Sequence, residues 1–153
     1  MKAHGFTQAR LWSRGVNLEA FTPEGPRLER TRSPVFLYVG RLAVEKQVHK
    51  FLELDLPGEK WVAGTGPAEA GLNAQFPDAR WFGVLSGDDL ATVYRSADGM
   101  VFPSVTDTFG LVMAESMACG TPVAAYPVPG PIDVVGHDSP GGAIDNDLRA
   151  ACL

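Results

Sequence analysis

Two carboxylates, Asp107 and Glu115, are separated by seven residues in the stretch FPSVTDTFGLVMAESMACGTPVAA, residues 102–125. Residues 101–104 read as the end of a buried strand and 111–118 as an apolar helix. The loop between them therefore presents Asp107 together with the amides near Phe109, Gly110 and Leu111. A helix start with unpaired N–H groups is a ready anion site. An acid at a loop tip accepts hydrogen bonds from sugar hydroxyls, and a second acid on the helix can bind a ribose diol. Asp107 has a ligand-free alternative as a partner of the helix dipole. Glu115 interrupts the apolar run LVMAESMA, and a carboxylate on a mostly buried helix must be paired or face a polar cleft.

Cations stand in a second loop, Gly40-Arg41-Leu42-Ala43-Val44-Glu45-Lys46, directly after the apolar run VFLYV. In a parallel sheet, ligands bind outside the carboxyl ends of the strands, where Gly40 lets the backbone turn and Arg41 and Lys46 can point. Arginine supplies a planar fork and lysine a mobile point charge, a pair suited to clamping a diphosphate. The alternative is two solvated loop cations with Glu45 as local counter-ion. Gly64 and Gly66, in Gly64-Thr65-Gly66-Pro67, would permit close backbone approach to a ligand, although glycines end strands for many reasons. Trp81 and Phe82 read as core, whereas the backbone of Val84 and Leu85 could line a base pocket.

These groups need a scaffold. Short apolar runs alternate with helical patterns, the signature of βα units and a parallel sheet covered on both faces. Strands are expected over residues 35–39, 61–63, 81–82, 100–102 and 123–125, and helices over 48–54, 69–75, 90–97 and 111–118. Pro57-Gly58, the 64–67 turn and Gly120-Thr121-Pro122 punctuate them, and Asp88 is the expected N-cap of the third helix. Residues 1–34 hold one strand-like piece, 9–12, and a connection rich in Pro, Gly and charge. They read as a linker leading in from another domain. A further amphipathic helix begins near Asp147.

The 153 residues suffice for one domain with a real core, and 45% hydrophobic with 20% charged residues fits a globular protein. A net charge of −5 with pI near 5.1 argues against a general nucleic-acid binder, since no Lys/Arg stripe is present. No apolar run approaches the ~20 residues of a membrane span and no signal peptide is recognisable, so a cytoplasmic protein is expected. Cys119 and Cys152 lie outside any CxxC pattern, and a structural disulfide is not expected. His4, His49 and His137 lack metal-ligand spacing, so neither a metal nor a cofactor is expected.

Taken in order, GRLAVEK, AGTGP, FGVLSGDDLATVYRSADGMVFPS and DTFGLVMAESMACGTPVAA resemble the nucleotide-binding C-terminal domain of retaining GT-B glycosyltransferases of the "glycosyl transferases group 1" type. The likeness runs from about residue 35 to 135, and WSRGVNLEAFTP resembles the segment by which that family enters the domain. The fold implied is α/β, a Rossmann-like doubly wound parallel sheet with helices on both faces, one half of a GT-B fold. It is expected to occupy residues 35–153 and to be truncated at its C-terminus.

The resemblance assigns catalytic roles to Arg41 and Lys46, which hold the donor diphosphate, and to Asp107, which holds the transferred sugar with the amides of Phe109, Gly110 and Leu111. Glu115 binds the ribose, the nucleobase lies near Gly64 and Val84 to Leu85, and Gly40 and Gly66 complete the donor-binding set. The family's usual pair is Glu, seven residues, Glu; Asp107 is one methylene shorter. Members with TDTFG loops look like mannosyl- or sulfoquinovosyl-type transferases acting on lipid acceptors. The implied partners are a nucleotide sugar, a missing N-terminal acceptor domain, the cytoplasmic membrane face for the parent enzyme, and a second copy of the chain through its uncovered face. The chain alone is expected to bind donor without efficient transfer. Competing readings are a nucleotide-sugar 2-epimerase or phosphorylase of related architecture, and a non-catalytic nucleotide-sugar-binding or interaction module.

Overall fold

The computed structural model describes residues 15–107, 109–137 and 139–153. The strand expected over residues 9–12 lies outside them. Six strands, β1 (Val35–Val39), β2 (Glu59–Ala63), β3 (Arg80–Gly83), β4 (Gly99–Phe102), β5 (Val123–Ala125) and β6 (Gly142–Ile144), form one sheet in the order β3-β2-β1-β4-β5-β6, with every pairing parallel. This is a Rossmann-like doubly wound sheet. The direction in which strands are added reverses between β1 and β4, which opens a crevice at their carboxyl ends.

VFLYV is buried at all five positions because β1 is covered on both faces. One face carries Val35, Leu37, Val39, Trp61, Met100 and Phe102 beneath α3 (Gly87–Ser96), α4 (Leu111–Ala118) and α5 (Pro129–Val135). The other carries Phe36, Tyr38, Val62 and Val101 beneath α1 (Val48–Glu53), α2 (Glu69–Gln75) and α6 (Leu148–Cys152). Asp147 caps α6 by accepting from the amides of Arg149 and Ala150. Residues 15–34 contain no helix or strand and are bound along α3 and the start of β4. The Leu28 amide donates to Ser96 Oγ at 2.7 Å, Arg30 pairs with Asp98 at 2.8 Å, and Phe21 and Leu28 pack against the first core. Arg95, only 4% exposed, donates to the carbonyls of Pro26 at 3.1 Å and Thr22 at 3.3 Å.

Several local expectations are corrected. The third helix starts at Gly87 after an extended Ser86, without a side-chain cap, so Asp88 sits in its first turn and meets the helix dipole rather than capping it. Strand β2 begins two residues early because Glu59 and Lys60 pair in register with Val35 and Phe36. Their polar side chains are used locally: Lys60 Nζ donates to the carbonyls of Leu52 at 2.7 Å and Leu54 at 2.5 Å, at the end of α1. Neither α5 nor β6 was expected. The sequence PGPIDVV looks like a turn, yet proline belongs at a helix start, and β6 is a three-residue edge strand that begins with glycine.

Candidate functional site

Loops at the carboxyl ends of β1, β2, β3 and β4 meet over the crevice. Tyr38, at the end of β1, donates its hydroxyl to the Arg41 carbonyl at 2.9 Å and so fixes the start of the β1 loop. That loop continues through a 3-10 turn, Val44–Lys46, into α1. The Leu42 amide donates to Thr65 O at 2.9 Å and the Ala68 amide to Leu42 O at 3.0 Å, which lashes the β1 loop to the β2 loop. Gly64 is obligatory at this crossing: a Cβ there would lie 1.9 Å from the Gly40 carbonyl oxygen. Gly110, with φ of +74°, precedes α4 in a left-handed conformation that a side chain would strain.

Two adjoining cavities open at this edge. The first, about 250 Å³, is lined by Gly40, Arg41, Lys46, Ser104, Asp107, Gly110 and Leu111 among others. The second, about 230 Å³, is lined by Gly40, Gly64, Val84, Leu85 and Leu90 among others. Val39, Gly40 and Val112 belong to both. Most of the residues singled out in the sequence therefore gather around one crevice. Three do not line it: Gly66, whose backbone packs against the Leu42 carbonyl, Phe109, which is half-buried, and Glu115.

Lys46 Nζ forms an ion pair with Asp107 Oδ1, with the two side chains 26% and 21% exposed. The other carboxylate oxygen, Asp107 Oδ2, is buried and has no hydrogen-bond partner among the described residues. A buried acceptor of this kind calls for a donor. Arg41 is exposed at the rim, and among the described residues its guanidinium makes no hydrogen bond or ion pair. The ion pair thus joins the loop after β1 to the loop after β4, and cation and acid meet where the two sides of the crevice converge.

Glu115 lies one turn beyond Leu111 and Val112 on the same side of α4. Its Oε2 accepts a hydrogen bond from the Tyr94 hydroxyl at 3.1 Å. Burial pushes the Glu115 carboxyl up, against the Tyr94 hydrogen bond, which lowers it. Burial and the neighbouring Glu115 charge raise the Tyr94 phenol, which stays protonated. Tyr94 was not among the residues singled out in the sequence, since an aromatic in a helical run reads as core. Its polar tip one helix away from an unexplained carboxylate was the only available signal. Among the described residues no group of three His, Cys, Asp or Glu could hold a metal ion, and no helix is long and apolar enough to cross a membrane. Cys119 and Cys152 are free thiols.

Residues 33–151 match the glycosyl transferases group 1 family along nearly the whole described domain. The chain belongs to that family. As a group 1 glycosyltransferase chain it is 35% identical over 147 residues to the sulfoquinovosyl transferase SQD2 of Arabidopsis thaliana, covering 88% of this chain and 29% of that protein. It is 34% identical over 155 residues to a GDP-mannose-dependent alpha-mannosyltransferase of Mycolicibacterium smegmatis, covering 96% of this chain and 41% of the relative. The chain therefore spans less than half the length of these curated relatives.

Among solved structures, sucrose-phosphate synthase from Thermosynechococcus elongatus superposes with a TM-score of 0.74 at 28% identity, over 90% of this chain and 41% of that one. The lipopolysaccharide outer core galactosyltransferase WaaB in its apo form gives 0.70 at 21% identity, over 88% and 42%. The group 1 chain thus carries the Rossmann-like sheet of GT-B glycosyltransferases.

Proposed function

We propose that this chain is the donor-binding half of a retaining hexosyltransferase that takes its sugar from a nucleoside-diphospho donor. The observation that carries the reading is the pair of adjoining cavities at the β1/β4 reversal, one with Arg41, Lys46 and Asp107, the other lined by Val84, Leu85, Leu90 and backbone. The diphosphate occupies the first, held by Arg41, Lys46 and the free amides at the start of α4. The base occupies the second. Asp107 Oδ2 accepts from a hydroxyl of the transferred sugar, and Glu115 accepts from the ribose diol.

In this scheme the protein does little covalent work. As the carbon–oxygen bond to the diphosphate breaks, negative charge grows on the leaving oxygen, and Arg41, Lys46 and the α4 amides stabilise it. The acceptor hydroxyl attacks the face that the diphosphate leaves and passes its proton to the departing phosphate oxygen, which retains the anomeric configuration and calls for neither a dedicated nucleophile nor a cofactor. Relatives named as GDP-mannose-dependent mannosyltransferases and as a sulfoquinovosyl transferase support a hexose donor. A structure of lower identity, the pneumococcal O-GlcNAc transferase GtfA, holds UDP and GlcNAc. A second, acceptor-binding domain completes the enzyme, so this chain alone binds donor without efficient transfer. The parent acts in the cytoplasm at the membrane face.

Titration calorimetry with GDP and UDP tests the donor site. One of the two should bind in the micromolar to millimolar range, and Arg41→Ala should weaken it about tenfold, the loss of one charge-assisted contact. Absence of heat with both nucleotides sinks the proposal.

A further inference from the structure

Tyr94 has more constraints on it than an ordinary core aromatic. Its side chain is fully buried. Phe21, from the segment preceding the sheet, meets its ring edge-on, with centroids 6.1 Å apart at 68°. Its own carbonyl accepts from the buried Thr121 Oγ1 at 2.6 Å, and the Thr121 carbonyl in turn accepts from Ser116 Oγ at 2.9 Å. The next residue, Arg95, grips the segment that carries Phe21. With ring and backbone both fixed, the phenol can reach one described acceptor, Glu115 Oε2.

We propose that Tyr94 is a positioning residue for the donor site: its hydroxyl holds Glu115 in the rotamer that turns the second carboxylate oxygen, Oε1, to the 2′- and 3′-hydroxyls of the donor ribose. This role rests on Glu115 binding the ribose, as proposed above, and lies one contact further back. A glutamate on a helix has three rotatable bonds, and fixing them before the ligand arrives removes an ordering cost from binding. The buried phenol donates throughout the working pH range, so the constraint is permanent rather than switched. Other titratable and charged groups near the pair are the Cys119 thiol and, beyond it, Arg95; neither is hydrogen-bonded to Glu115. Leu111 and Val112, four and three residues before Glu115, line the crevice and place this face of α4 at its edge.

The test compares GDP and UDP with their 2′,3′-dideoxy counterparts by titration calorimetry, on the wild-type chain, Tyr94→Phe, Glu115→Ala and the double variant. The ratio of affinities for the ribo and dideoxy forms is read within each protein. A sample that is partly unfolded lowers both affinities together and leaves the ratio unchanged. The wild type should prefer the ribo form about tenfold or more. Tyr94→Phe should cut that preference to about threefold or less, Glu115→Ala should abolish it, and adding Tyr94→Phe to Glu115→Ala should change nothing further. A Tyr94→Phe chain that keeps the full preference while Glu115→Ala loses it overturns the positioning role and leaves the ribose reading intact. An unchanged preference in Glu115→Ala overturns both.

Discussion

Replacing Gly64 with alanine probes the crossing on which both cavities depend. The new Cβ would lie 1.9 Å from the Gly40 carbonyl oxygen, where real Cβ contacts stay beyond 3.0 Å, so the β1 and β2 loops would have to part by about 1 Å. Three backbone hydrogen bonds converge on that junction: Gly40 N to Ala63 O at 3.0 Å, Leu42 N to Thr65 O at 2.9 Å and Gly64 N to Gly83 O at 2.6 Å. Losing two of them costs about 2 kcal/mol. Alanine at φ of +137° adds about 1 to 3 kcal/mol of backbone strain. The expected destabilisation is about 3 to 5 kcal/mol, a fall in Tm on the order of 10 °C for a chain of this size.

Urea and thermal denaturation followed by circular dichroism measure it. Gly71→Ala is the matched control. Gly71 sits exposed in α2 with nothing within 4 Å of the place an added Cβ would take, so alanine there should stabilise by about 0.5 to 1 kcal/mol. A Gly64→Ala chain that melts within about 2 °C of wild type would refute the claim that backbone contact, rather than ligand approach, demands glycine at this site.

Two further perturbations follow from the charges. Asp107→Asn removes the charged partner of Lys46 and should tighten binding of GDP or UDP about threefold, whereas Lys46→Ala should weaken it about tenfold. Calorimetry that finds Asp107→Asn weaker for the bare nucleotide contradicts the view that Asp107 and phosphate compete for the lysine. Glu59 is raised by partial burial but, more strongly in sum, lowered by hydrogen bonds from Trp61 Nε1, the Arg32 amide and Thr31, which bring its carboxyl down to about 2. Because the folded value is depressed, this stabilisation is present above the ordinary value near 4.5 and is lost as pH falls toward about 2. Tm profiles of wild type and Glu59→Gln should therefore converge across that window, and parallel profiles would count against it.

The sheet was legible where burial leaves a compositional trace. VFLYV has no strongly polar position because both faces of β1 are covered, and LVMAESMA reads as a helix interrupted by one acid that needs a reason. The edge of the sheet leaves no such trace: β6 is short and partly exposed, and α5 is built from PGPIDVV, where proline at a helix start looks like a turn. The candidate site was legible as separate motifs. The contact between Lys46 and Asp107 spans 61 residues and depends on β1 and β4 being neighbours, which no local pattern encodes. Tyr94 was hidden for a different reason, since a buried ring satisfies helical periodicity whether or not its hydroxyl has a task.

Val39, Gly40 and Val112 form a partition common to the two cavities. A single molecule that fills both is therefore held like a chelate, each end raising the effective concentration of the other, to the millimolar range for a short tether. Nucleoside or pyrophosphate alone would gain none of this. On the proposed donor reading, the same tether would act on a spent nucleoside diphosphate: with one end in each compartment, its escape would require both ends to let go.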